Sequence, residues 1–285
     1  DGRSVIVRGR SLAAAIRAVE KVGGHITSKL GLIDAVVATV SQEDRAKLQQ
    51  SPEILSVTEN RSVESSGKKT ANSQPVTNLD WPMVIDIGAD QLHRSGIRGK
   101  GVTVAIVDSG VYFSPKLLTN YSYQDLLVFL GQASFANGGK CLTSSIGVTL
   151  GTQFPDYCFQ NTSLSTDRYG HGSHVAGIVG NRYLDAATGN YLGVAPEANI
   201  LSIRVLGDDG TGSYESVIKG IQFVVDNKNK YNIRVMNLSL SAAAISPYFE
   251  DPLNIAVEKA WQAGIVVVAA AGNEGAAAQT ITVPG

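Results

Sequence analysis

The sequence predicts an α/β protein in two parts, a doubly wound, mostly parallel sheet preceded by a small α+β unit of ferredoxin-like order. Three observations carry that prediction. Short apolar runs bounded by polar residues or glycine recur at 102–107, 200–205, 235–240 and 265–270, and read as strands buried on both faces. Helical patterns lie between them at 171–181, 214–225 and 252–263. Such alternation indicates a parallel sheet with helices on both faces, whose ligands sit at the carboxyl ends of the strands. The first 64 residues follow a different order, β-α-β-β-α-β.

The elements of the first unit follow from local chemistry. Val5-Ile6-Val7 is a β-branched strand former. Ser11 caps a helix in which Leu12, Ala15, Ile16 and Val19 recur at helical spacing, and Gly23-Gly24 stops it. Strands at 25–30 and 35–40 flank a turn at Gly31. Ser41 with Asp44 opens a second helix as a capping box, and 54–58 is the last strand. Residues 65–80 are polar and aperiodic, a linker between the two units. Its Lys68-Lys69 pair either attracts a processing enzyme or is simply solvated. The domains expected are therefore 1–64, a linker, and 81–285.

Composition narrows the functional classes. With 44% hydrophobic and 17% charged residues, the 285-residue chain has the balance of a folded protein. A net charge of −1 gives no reason to expect nucleic acid or an anionic membrane as partner. The longest apolar run, 265–271, is far short of a membrane span. No signal peptide is visible and the chain begins at Asp1 rather than Met, so its natural N-terminus is expected to have been removed or left out. Cys141 and Cys158 fit either a disulfide closing one loop of an exported protein or two free thiols.

Polar clusters stand where the strand-end rule places an active site. Asp108 ends the first strand, in Ala105-Ile106-Val107-Asp108-Ser109-Gly110. His171 opens a helix in Gly170-His171-Gly172-Ser173-His174-Val175-Ala176-Gly177. Asn273 ends the last strand, in Ala270-Ala271-Gly272-Asn273-Glu274-Gly275. Taken singly, the Asp and Asn are turn residues and the His a structural residue or a metal ligand.

Together these segments resemble the signature segments of the subtilisin-like serine proteases, in the family's order. The resemblance runs from about Gly96 to the C-terminus and includes Gly193-Val194-Ala195-Pro196 and Met236-Asn237-Leu238-Ser239-Leu240. It implies peptide-bond hydrolysis with His171 as general base, Asp108 orienting it, and the Asn273 amide donating to the oxyanion. Residues 1–64 are similar to the family's propeptide, an intramolecular inhibitor and folding aid, with a processing site in the linker. Gly210-Thr211-Gly212 and Ser239-Leu240-Ser241 resemble the strands that flank an extended peptide substrate, with Leu206 and Tyr214 walling apolar subsites. A secreted protein follows from the same resemblance. No cofactor is required for such chemistry, although a structural calcium is suggested by the position of the loop holding Asp185 and Asn190.

The departures are also informative. Ser173 stands where the family usually has threonine, and Ser241-Ala242-Ala243 lacks glycines often found there. The interval from Asp108 to His171 is long, and its extra loop holds both cysteines. A Gly-Thr-Ser-Met-Ala-like segment for the nucleophile does not occur, so the chain is expected to be truncated before its serine and inactive by itself. Two other readings compete. One is a non-catalytic protease-binding or inhibitory module. The other is a metal enzyme using His171 and His174 with Asp108 or Asp167, disfavoured because His174 is expected to pack inside.

Overall fold

A computed structural model describes residues 2–66, 83–112, 128–141, 149–160, 165–186, 188–275 and 277–285. The Lys68-Lys69 pair and most of the expected linker lie outside the described residues. The first unit comprises β1 (Arg3–Gly9), α1 (Leu12–Lys21), β2 (His25–Leu30), β3 (Ala35–Val40), α2 (Gln42–Gln49) and β4 (Ile54–Glu59). Its sheet has the order β2-β3-β1-β4 with every neighbour antiparallel. Ser11 Oγ accepts from Ala14 N and Ser41 Oγ from Asp44 N, so both helices are capped. Asp44 Oδ2, however, accepts from Ser41 Oγ at 2.6 Å rather than from the Ser41 backbone N–H that a capping box would use.

After β4 the chain adds β5 (Ser62–Ser65), a strand not expected from the sequence, which runs from the end of the first unit into the first residue of the expected linker. Two short helices follow, α3 (Met83–Asp86) and α4 (Ala89–Arg94). The second unit then runs through β6 (Thr103–Asp108), β7 (Val128–Ser134), β8 (Thr152–Gln153), β9 (Cys158–Gln160), α5 (His171–Gly180) and β10 (Asn199–Arg204). It continues with β11 (Thr211–Ser213), α6 (Tyr214–Asp226), α7 (Lys228–Tyr231), β12 (Ile233–Leu238), β13 (Leu240–Ser241), α8 (Pro252–Gln262) and β14 (Val266–Ala269).

The main sheet has the order β14-β12-β6-β10-β7-β9-β8. Its first five strands are parallel, and β9 and β8 extend it antiparallel. Alternate residues of β6 show the double winding. Ala105 and Val107 share a buried cluster with Ile218 and Ile221 of α6 and Ala256 of α8. Val104 and Ile106 share another with Ala176 of α5. Helices therefore cover both faces, the α/β architecture expected from the sequence.

Three details differ from expectation. The run at 235–240 is divided: β12 ends at Leu238, and Leu240–Ser241 leaves for a separate sheet. β14 is not buried on both faces, because it is the end strand of the described sheet and Val266 and Val268 are exposed. β7 had no apolar run to announce it, since Gly131, Gln132 and Ser134 interrupt the pattern. Cys141 and Cys158 form a disulfide that ties β9 to the turn following β7.

The first unit docks on the second for a reason visible in its own strands. Val5, Val7, Val36 and Ala38 pack beneath α1. Ile6, Ala35 and Val37 point to the other face, which has no helix of its own and joins the cluster of α6 and α8. Gln222 of α6 accepts a hydrogen bond from Leu32 N at 3.2 Å. A small sheet with two apolar faces needs such cover to remain in water.

Candidate active site

The site begins with two backbone ends brought together. Asp108 closes β6 and is fully buried, and its Oδ1 accepts from Ser109 N at 2.7 Å. His171 is the first residue of α5. A Cβ on Gly172 would lie 2.1 Å from Gly110 O and 3.1 Å from Asp108 Cβ, so glycine at 172 allows the helix to start against the strand end. The result is a two-point contact in which His171 Nδ1 lies 2.8 Å from Asp108 Oδ1 and 2.9 Å from Oδ2.

A buried polar network fixes this approach. Asp167 accepts from Ser109 Oγ at 2.9 Å, Gly170 N at 2.8 Å, Ser173 N at 2.8 Å and Ser173 Oγ at 2.7 Å. Ser109 Oγ in turn accepts from Gly172 N at 3.0 Å. Sequence reasoning considered Asp167 only as a metal ligand and gave Ser173 no task beyond replacing threonine. Their shared role was legible only as a polar residue within a helical turn of His171. His174 is exposed rather than packed inside.

The hydrogen bond to Asp108 raises the His171 pKa above its ordinary value of 6.5, burial partly opposes this, and the charges of Asp108 and Asp167 add to the rise. A raised folded-state pKa stabilises the fold fully below the unfolded value, and that contribution fades as pH rises through the folded pKa. The general base that the resemblance implies must be neutral to act, so the activity expected of it follows the opposite course. The acid limb of kcat/KM is expected above pH 6.5, and Asp108→Asn should move it downward; a pH–rate profile checks both.

Beside this pair lies a three-stranded sheet of order β11-β5-β13. The residues expected to flank a substrate, Gly210, Thr211, Gly212, Ser239, Leu240 and Ser241, stand on either side of one extended segment, and that segment is the chain's own β5. Thr211, Gly212 and Ser213 pair with Glu64, Val63 and Ser62. Leu240 and Ser241 pair with Ser65 and Glu64. Ser65 N donates to Gly210 O and Ser66 N to Ser239 O, each at 3.0 Å. Gly210 has φ +78°, and a Cβ there would meet the Tyr169 ring at 2.4 Å.

Leu206 and Tyr214 are fully buried and share the cluster that receives Val63. Tyr214 is the first residue of α6. Its hydroxyl donates to Asp251 Oδ2 at 3.0 Å, and burial foremost, then the Asp251 charge, pushes its pKa far up. At the end of the groove a cavity of about 290 Å³ is lined by Ser65, Ser66, Tyr169, Gly210, Ser241 and Asn273. Asn273, just beyond β14, is exposed there.

The loop considered for calcium is closed by its own bonds. Asp185 Oδ2 accepts from Thr188 Oγ1 at 2.6 Å and Thr188 N at 3.2 Å, and Asp185 N donates to Asn190 O at 2.9 Å. Among the described residues no group of three or more His, Cys, Asp or Glu side chains is gathered as a metal set. Nor is any helix among them long and apolar enough to cross a membrane.

Comparison with known proteins places the chain in a family. Serine protease AprX of Bacillus subtilis is 37% identical over 205 residues, 69% of this chain and 39% of AprX. Subtilisin E of the same organism is 31% identical over 268 residues, 93% of this chain and 56% of that protein, a match that takes in the first unit as well. The chain therefore spans about half the length of these relatives. Fervidolysin from Fervidobacterium pennivorans, a keratinolytic enzyme related to subtilisin, superposes with a TM-score of 0.62 at 20% identity, over 96% of this chain and 40% of its own, which speaks for the fold. The profile of the subtilase family matches residues 99–285, well over half of the sequence, and the chain belongs to that family.

Proposed function

We propose that these residues are the propeptide and the first part of the catalytic domain of a secreted serine endopeptidase, held as a zymogen. The observation that carries this reading is the Asp108–His171 pair beside a substrate-shaped groove that the chain's own β5 fills. His171 takes the proton of a serine hydroxyl and later returns it to the leaving amine. Asp108 holds the imidazole with Nδ1 protonated and stabilises the imidazolium. Asn273 donates to the oxyanion of the tetrahedral intermediate. The nucleophile is a serine of the whole protein that the present sequence lacks, since no Gly-Thr-Ser-Met-Ala-like segment occurs in it. The chemistry calls on no cofactor, and its substrates are extended segments of proteins.

Residues 1–64 act in this account as the inhibitor, with β5 and Ser66 lying as a substrate would. Ser66, whose N–H reaches Ser239 at the Asn273 end of the groove, is the residue before the scissile bond. Val63, three residues earlier, fills the apolar pocket of Leu206 and Tyr214. On the strength of that register we take the Ser66–Gly67 bond, within the linker, as the processing site. N-terminal sequencing of the mature enzyme should therefore begin at Gly67. A mature chain beginning elsewhere would contradict the register, and one retaining residues 1–64 would contradict the propeptide role.

A further inference from the structure

We infer that Asp251, Tyr214 and the Ala243 carbonyl form a subsite for an arginine side chain six residues before the scissile bond of a substrate. The inference rests on the proposed reading of β5 as an occupant placed like a substrate. Counting back with Ser66 as the first, Arg61 is the sixth. The β5–β11 ladder continues to it, because Tyr214 N donates to Arg61 O at 2.9 Å. A peptide bound along the same path presents its sixth residue to the same pocket.

The pocket is built of fixed parts of the second unit. Asp251 is fully buried, and its Oδ1 caps α8 by accepting from Leu253 N at 2.9 Å and Asn254 N at 3.3 Å. Its Oδ2 accepts from Tyr214 Oη at 3.0 Å and faces Arg61. Arg61 Nη2 donates to Asp251 Oδ2 and to Tyr214 Oη, each at 2.5 Å, and Nη1 donates to Ala243 O at 2.6 Å. The guanidinium carbon lies 4.4 Å from the centre of the Tyr214 ring.

Two physical points make this a recognition site rather than an incidental ion pair. First, the Asp251 carboxylate belongs to the second unit, whereas the cation it pairs with comes from the first. Departure of the first unit leaves that carboxylate, held in place as the cap of α8, facing the groove without its cation, and a substrate cation restores the pair. Second, three acceptors fan around a planar group that also stacks on an aromatic ring. Arginine meets all of these at once, whereas the compact lysine ammonium has no planar face to stack.

The test uses the mature enzyme and the peptides Xaa-Ser-Val-Glu-Ser-Ser-Gly-Lys with Arg, Lys, Gln or Glu at Xaa, together with Val-Glu-Ser-Ser-Gly-Lys, which stops short of the pocket. We expect kcat/KM for Arg to exceed that for Gln by about tenfold or more, the range of a buried charge-assisted contact, with Lys between them and Glu lowest. The Arg-to-Gln ratio should fall towards one in Asp251→Asn, whose amide oxygen can still cap α8, and fall less far in Tyr214→Phe. Equal rates for Arg and Gln while the short peptide is cleaved would overturn the subsite, leaving Asp251 a contact for the first unit alone. An arginine preference that survives Asp251→Asn would overturn it too. Failure to cleave even the short peptide would instead refute the reading of β5, and the subsite with it.

Discussion

Replacing Asp108 by asparagine should lower kcat of the whole enzyme on the order of 10⁴-fold while leaving the fold intact. The carboxylate makes two contacts to His171 Nδ1 and is fully buried, so it acts on that ring with little screening by water. An asparagine of the same shape can turn its amide N–H towards Nδ1. That selects the tautomer whose other ring nitrogen already carries a proton and cannot accept one from serine. The change deletes no volume from the strand end, and the Asp167 network to the first turn of α5 remains. Turnover and thermal unfolding measured on one preparation separate the two effects. A large fall in unfolding temperature alongside the lost activity would mean that Asp108 matters chiefly as a structural anchor.

Replacing Asn273 by alanine should reduce kcat by about 10²–10³-fold with little change in KM, the magnitude established for the oxyanion asparagine of subtilisin itself. The asparagine stands exposed at the cavity that holds Ser65 and Ser66, where a donor can meet charge that forms only during the reaction. Such a contact is stronger in the transition state than with bound substrate, so its loss falls on kcat. Steady-state kinetics on one peptide decides the matter. A rise in KM at constant kcat would make Asn273 a substrate-binding residue instead.

The parts legible in the sequence were those whose structure is locally encoded. Asp108 and His171 stand next to glycines that only a close strand–helix approach requires, and Gly172 against Gly110 is that approach. The helices beginning after Ser11 and Ser41 carried their caps in plain view. What escaped was set by tertiary partners. β5 contains a single apolar residue, Val63, and is extended because strands on both sides satisfy its backbone. β7 carries Gln132 in its middle, buried among polar groups: its Oε1 accepts from Val111 N and Ser202 Oγ, and its amide donates to Gln160. A polar core of that kind reads as loop to any rule based on alternation. Arg61 was given no role, because its partner Asp251 lies 190 residues away along the chain.

The central claim, a serine nucleophile activated by His171, is tested most directly by fluorophosphonate labelling of the native protein with the labelled peptide identified by mass spectrometry. The account predicts one modified serine within a Gly-Thr-Ser-Met-Ala-like segment, and loss of the label when His171 is replaced by alanine. An unlabelled native protein, with residues 1–64 removed and the groove open, would contradict it and make the chain a binding or inhibitory module.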